Sequence, residues 1–293
     1  MFLLCSVVFR MKNLLFLLAL WVSCLEVHAQ SYAELTQKAF DALERDSLAD
    51  AEKYLLQALK VDPAHVQNSL LFSNLGLIQQ RQGKLHEALE SYNLALNITP
   101  KMVPILLNRA ALYLELGKND LARIDYSMVL DIEPKNLEAL LMRAYAYSNL
   151  NDYKSAQSDY ERLLTFSPMN YKGRLGLALS LKQLGMKQEA LNELTAMIAS
   201  KTMEDDKVMT DEKLSVVFST RANIEIEQEQ IDLAIFDLGE AIRLDPGQTE
   251  NYLVRGQLYL MQKKKELARK DFETAVSYGV PSSMVHDLLK STK

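Results

Sequence analysis

The chain has 293 residues, 48% of them hydrophobic, and its 33 Lys and Arg against 38 Asp and Glu give a net charge of -5. That balance argues against a nucleic-acid binder, which needs a basic face. Only two cysteines are present, which leaves no disulfide framework or thiolate metal set to build on.

Both cysteines, Cys5 and Cys24, fall in the first 29 residues, which read as a secretory leader (1–29). Arg10 and Lys12 precede an apolar run from Leu14 to Leu25 broken only by Ser23, and Val27, His28 and Ala29 then offer small or modest residues around a cleavage point. The run is about 12 residues, short of the roughly 20 that a membrane-spanning helix needs. A second apolar stretch, Phe2 to Phe9, comes before the basic pair, so translation is expected to start at Met11. Cleavage after Ala29 is expected. The alternative is lipid attachment at Cys24, for which Ser23 fits but Trp21 is large, and only that alternative would tie the chain to a membrane.

Beyond the leader the chain is periodic, and the segment Val103 to Asn136 shows the period most plainly. Leu106, Arg109, Ala110 and Tyr113 recur at three- and four-residue spacing, which predicts a helix over about Met102 to Leu116. A second helix is predicted from Asp120 to Ile132, with Gly117 at the turn and Pro134 at the exit. At a spacing of about 34 residues, equivalent segments begin at Tyr32, Ser69, Leu137, Tyr171, Ser215 and Thr249. The eighth positions are Ala39, Gly76, Ala110, Ala144, Ala178, Ala222 and Gly256, and the twentieth are Ala51, Ala88, Ala122, Ala156, Ala190, Ala234 and Ala268. Side chains this small let two helix backbones approach closely. Exit prolines follow at Pro63, Pro100, Pro134, Pro168 and Pro246, with Pro281 one place late and none after the fifth segment.

These small residues, with Tyr113 and Tyr126 beside the contact, resemble the tetratricopeptide repeat (TPR) family. The resemblance implies an all-α, right-handed superhelical solenoid of about seven helical hairpins, because one hairpin cannot cover its own apolar face. Repeats one to five are expected over 30–199 and repeats six and seven over 211–280. Between them, 200–210 reads as an acidic insertion loop, most simply a solvated one, with a partner-contacting loop or a hinge as alternatives. At the end, 281–293 reads as a capping helix, with Ser283 as its cap and Val285, Leu288 and Leu289 on one side.

One pair recurs. Arg109, Arg143, Arg221 and Arg255 stand at the seventh position of four repeats, and Asp125, Asp159, Asp237 and Asp271 stand at the twenty-third of the same four. The other three repeats have Lys38 with Tyr54, Leu75 with Ser91, and Leu177 with Glu193. A two-bond bridge within each of the four hairpins is expected, since a guanidinium matches a carboxylate in geometry. An anion-binding function for the arginines is the alternative, and the matched aspartates oppose it.

In the family it resembles, the first helix of each hairpin lines the concave side, and positions two, five, nine and twelve point into it. That makes Leu70, Leu77, Leu107, Ala111, Leu114, Leu141, Tyr145, Leu175 and Leu179 the candidate partner-binding groove, rimmed by Glu138, Lys172 and Lys182. Such a groove suits an extended segment or an amphipathic helix of another protein. Several of these leucines could equally be packing between neighbouring first helices. Relatives that grip a terminal carboxylate use lysines and asparagines on three successive helices; here Thr36, Phe40, Asn74, Pro104 and Asn108 hold those places, without the lysines.

No catalytic, cofactor-binding or metal residues are assigned. His65, His86 and His286 are scattered without ligand spacing, the run Lys263 to Lys265 reads as a solvated turn, and no phosphate loop or serine elbow is present. The expectation is a secreted or periplasmic, non-enzymatic scaffold, in a bacterial envelope, that binds a protein or peptide and uses no cofactor. Two other readings stand beside it: an envelope-assembly component acting through its edges and ends, and a receptor for a small ligand or glycan.

Overall fold

The computed structural model describes residues 31–203 and 207–292. The leader, the start at Met11 and the chemistry of Cys24 concern residues outside these. Apart from one isolated bridge, Thr202 with Val208, every described element is a helix.

The chain divides into two compact units, one ending at Pro134 and the other beginning at Lys135. The first holds α1 (31–44), α2 (Leu48–Val61), α3 (Asn68–Arg81), α4 (Leu85–Ile98), α5 (Val103–Glu115) and α6 (Asn119–Ile132). The second holds α7 (Leu137–Asn149), α8 (Tyr153–Phe166), α9 (Tyr171–Gln183), α10 (Lys187–Ser200), α11 (Asp211–Glu227), α12 (Ile231–Leu244), α13 (Thr249–Met261), α14 (Lys265–Ser277) and α15 (Ser282–Ser291). From α1 to α14 successive helices pair into hairpins, and α15 packs on α14. The fold is the all-α array of helical hairpins with a terminal helix that the repeats imply.

Each hairpin turns in the same way. Its fifteenth residue takes a left-handed backbone: Asp46, Gly83, Gly117, Asn151, Gly185, Glu229 and Lys263. The next amide then donates to the carbonyl five residues back, as Lys118 does to Tyr113 and Gln230 to Glu225, closing the C-terminus of the first helix. Glycine takes this conformation without a Cβ clash, whereas Glu229 and Lys263 hold it at a cost.

The small residues sit where the helices cross. All the alanines at positions eight and twenty are fully buried. At Gly76 and Gly256 the approach is closer still: a Cβ on Gly76 would lie 2.8 Å from the Tyr92 ring, and one on Gly256 2.5 Å from the Phe272 ring. Alanine fits the helix crossing; only glycine fits a ring pressed directly on it.

Of the described insertion residues, Lys201, Lys207, Val208 and Thr210 are exposed, as a solvated loop requires, but two methionines are not. Lys201 ends α10 with a left-handed backbone, and the Thr202 to Val208 bridge folds the segment back on itself. Met203 and Met209 are buried in one core with Leu194 and Met197 of α10 and Leu214, Val217 and Phe218 of α11. Methionine, long and unbranched, fills the irregular gap that a longer link leaves, so repeats on both sides of the insertion share one core. Ser283 is also reassigned: it lies inside α15, where Pro281 precedes the first turn and no side chain caps it. The helix is held instead by the fully buried Val285 and by Arg269, whose Nη2 donates to the Thr292 carbonyl at 2.8 Å.

The structure brings each of the four arginine and aspartate pairs together. In each, Nε donates to Oδ2 and Nη2 to Oδ1, at 2.8 and 2.8 Å for Arg109 with Asp125, 2.7 and 2.7 Å for Arg143 with Asp159, 2.6 and 2.7 Å for Arg221 with Asp237, and 2.8 and 2.8 Å for Arg255 with Asp271. The aspartates are buried and the arginines nearly so. The remaining nitrogen reaches the preceding hairpin: Arg109 Nη1 donates to Asn93 Oδ1 at 2.8 Å and Arg221 Nη1 to Thr195 Oγ1 at 3.1 Å. One side chain thus ties a hairpin to itself and to its neighbour. At the equivalent place before Arg255 stands Gly239, with no side chain to offer; a Cβ there would sit 3.5 Å from Arg255 Nη1.

The fifth repeat keeps the bridge by other residues. Glu193 pairs with Arg174, one helical turn before the usual arginine position. In the second repeat Ser91 Oγ instead donates to Gln79 Oε1 at 2.7 Å, a neutral version of the same link.

Removing one partner of a buried bridge strands the other charge, so Arg143→Met and Asp159→Leu should each cost about 3 kcal/mol in denaturant unfolding. The double variant should lose less than the two losses added together, since no charge is then stranded; strictly additive losses would exclude coupling. Conversely, Gly239→Asn supplies the missing acceptor for Arg255 and removes a glycine from a helix interior. It should stabilise the protein by about 1 kcal/mol, seen as a higher denaturant midpoint with unchanged slope.

Candidate functional site

In the first unit the candidate residues lie on α3 and α5. Leu70 and Leu77 are exposed, whereas Leu107, Ala111 and Leu114 are half-buried. In the second unit they lie on α7 and α9: Tyr145 is 50% and Leu179 43% exposed, and Leu141 and Leu175 are half-buried. The two positions therefore differ. Those at the fifth place pack inward, Leu141 against the Ala144, Ala156 and Tyr160 cluster and Leu175 against the core of α9 to α12. Those at the ninth, Leu77, Tyr145 and Leu179, present nearly half of their surface to solvent.

Between α7 and α9 the surface deepens into a cavity of about 350 Å³. Its walls are Leu141, Met142 and Tyr145 from α7 and Lys172, Leu175 and Leu179 from α9, and Tyr160 of α8 and Gly176 complete its floor. A Cβ on Gly176 would collide with the Tyr160 ring, so the ring reaches the cavity only because that helix position is glycine. Burial pushes the Tyr160 hydroxyl pKa up, and the Ser148 hydroxyl partly offsets this. Sequence reasoning missed Met142, Tyr160 and Gly176, because the floor combines residues of two repeats at places outside the groove pattern.

The rim charges are not equivalent. Lys182 lies 2.7 Å from Glu227 Oε1 and Lys187 3.0 Å from Oε2, and these two bonds hold the Glu227 pKa below the usual carboxylate value. Lys182 is therefore committed to α11. Lys172 makes no ion pair or hydrogen bond among the described residues and stands at the cavity edge.

A second unusual group lies in the sixth repeat. Glu225 occupies the place held by Tyr113, Tyr147 and Tyr259 in repeats where the ring lies beside the clasp arginine, 5.7 to 5.9 Å from it. Its side chain is buried, Oε1 is 3.9 Å from Arg221 Nε, and Oε2 has no hydrogen-bond partner among the described residues. Asp237 already takes both guanidinium bonds, so two carboxyl groups compete for one cation. Burial, then the Asp237 charge, raise the Glu225 pKa from 4.5 to about 7, with Arg221 opposing them.

The sign follows from linkage. The folded protein holds a proton on Glu225 that the unfolded chain has released, so stability falls as pH rises from about 4.5 to about 7 and is level above that. Glu225→Gln keeps the shape and removes the charge. Its stability relative to wild type should grow across that window by on the order of 2 kcal/mol, measured by denaturant unfolding at pH 5, 6, 7 and 8; a constant difference would show that Glu225 is not the titrating group.

Among the described residues no group of three or more His, Cys, Asp and Glu could hold a metal ion, and no helix is long and apolar enough to cross a membrane. Tetratricopeptide repeat family models match residues 36–103 and 137–169. A solved tetratricopeptide repeat protein from Parabacteroides merdae is 33% identical, over 90% of this chain and 99% of that one, with a TM-score of 0.66. The chain belongs to the tetratricopeptide repeat family. Two more distant solved structures share the fold of this TPR protein. One is the APC/C hetero-tetramer Cut9-Hcn1, 15% identical over 88% of this chain and 55% of that one, TM-score 0.57. The other is YrrB, described as a TPR protein with an unusual peptide-binding site, 16% identical over 69% of this chain and 99% of that one, TM-score 0.51. No curated protein matches the chain.

Proposed function

We propose that this TPR protein is a non-enzymatic scaffold that holds a protein or peptide partner on the exposed faces of its first helices, outside the cytoplasm. The observation that carries the reading is the exposure of Tyr145 and Leu179 beside an apolar cavity, with Leu77 exposed at the same repeated position in the other unit, in a family that works by binding. Exposed apolar side chains grouped this way mark interaction surfaces. YrrB, which has a peptide-binding site, and the Cut9-Hcn1 hetero-tetramer share this fold and support the reading. Placement outside the cytoplasm, in a bacterial envelope, is supported by the leader pattern of residues 1–29.

Two substitutions test the site without touching the core: Leu179→Glu alone, and Tyr145→Glu with Leu179→Glu. After circular dichroism shows wild-type helicity and unfolding, a cross-linked pull-down from the cell envelope should lose a wild-type partner with the double variant. Retention of every wild-type partner would place binding elsewhere on the surface.

A further inference from the structure

We propose that the cavity between α7 and α9 is a subsite for one large apolar side chain that has an acidic residue beside it in an extended segment of the partner protein. The proposal rests on the binding reading above and adds the chemistry of what binds there. At about 350 Å³ the cavity lies at the small end of ligand pockets, which run from roughly 300 to 1,000 Å³. It has room for one bulky side chain. The walls exposed to that side chain are leucine, methionine and tyrosine rings, and the floor is the Tyr160 ring reached across Gly176.

Charge selects the neighbour. Lys172 is the one charged residue in the lining, it sits in the first turn of α9, and no carboxylate is committed to it among the described residues. Lys182, one face further along the same helix, is neutralised by Glu227. The Tyr145 hydroxyl has no hydrogen-bond partner among the described residues and offers a donor on the opposite wall. A carboxylate beside the buried side chain would thus meet a cation and a hydroxyl. A basic residue in that place would face Lys172 with a like charge; Glu138, in the first turn of α7, lies outside the lining.

Amide-shift titrations of the nitrogen-15 labelled full chain test this with short blocked probes. N-acetyl-Gly-Phe-Asp-Gly-amide should shift residues of α7 and α9 and bind about three- to tenfold more tightly than the Phe-Asn and Ser-Asp probes. Lys172→Glu, a substitution at an exposed site, should erase that preference and favour a Phe-Lys probe instead. Equal binding of Phe-Asp and Phe-Asn at α7 and α9 would overturn the acidic preference while leaving the binding face intact. Tighter binding of a probe ending in free Phe carboxylate would assign the subsite to chain ends and overturn the internal segment. Shifts confined to other helices would overturn the subsite, whereas failure of the binding reading itself would show as partners retained by the Tyr145→Glu, Leu179→Glu variant.

Discussion

The closeness of the two helices in each hairpin is the constraint on which the other features depend. Alanine or glycine at the eighth and twentieth positions brings the backbones together, and everything bulkier is forced to the flanks. The rings of Tyr92, Tyr126 and Phe272 fill one flank, fully buried. The arginine and aspartate clasp fills another. A guanidinium inside a hairpin this tight must find its hydrogen bonds at once, because burial without partners would cost far more than the bridge returns. The bidentate geometry, together with a third bond to the preceding hairpin at Arg109 and Arg221, satisfies that demand.

The clasp also decides where surface remains for function. Since the hairpin interior consumes positions seven, eight, twenty and twenty-three, the residues that can vary in chemistry without loosening the fold lie on the remaining face of the first helix. Leu77, Tyr145 and Leu179 are on that face, each about half exposed. Position five is shared. Leu141 and Leu175 wall the cavity while packing into the core.

Much of this could be read from the sequence because a repeat states its rules several times. The helices of the Val103 segment were expected over Met102 to Leu116 and Asp120 to Ile132, and they span Val103–Glu115 and Asn119–Ile132. Arginine and aspartate recur at fixed places, so their meeting is a matter of periodicity. What escaped the reading is what the period does not repeat. Arg174 moves one turn and still finds Glu193. Met203 and Met209 lie in the insertion, where no register says which way a side chain points. Gly176 counts in no pattern; its effect depends on Tyr160, a residue of the previous repeat, so the cavity exists only in three dimensions.

Glu225 shows how such an exception can alter behaviour without altering the fold. Elsewhere the residue beside the clasp is a tyrosine, whose ring meets the arginine and carries no charge near neutral pH. Replacing that ring by a carboxyl leaves the helices in place but gives Arg221 two acids to serve and satisfies one of them. The unsatisfied oxygen is stable as an acid and strained as an anion, so the sixth hairpin is held more firmly when protonated. Because Arg221 also ties that hairpin to Thr195 of the fifth, the proton on Glu225 bears on the link between two repeats as well as on one hairpin. A single carboxyl at this site therefore makes the stability of the sixth hairpin depend on pH.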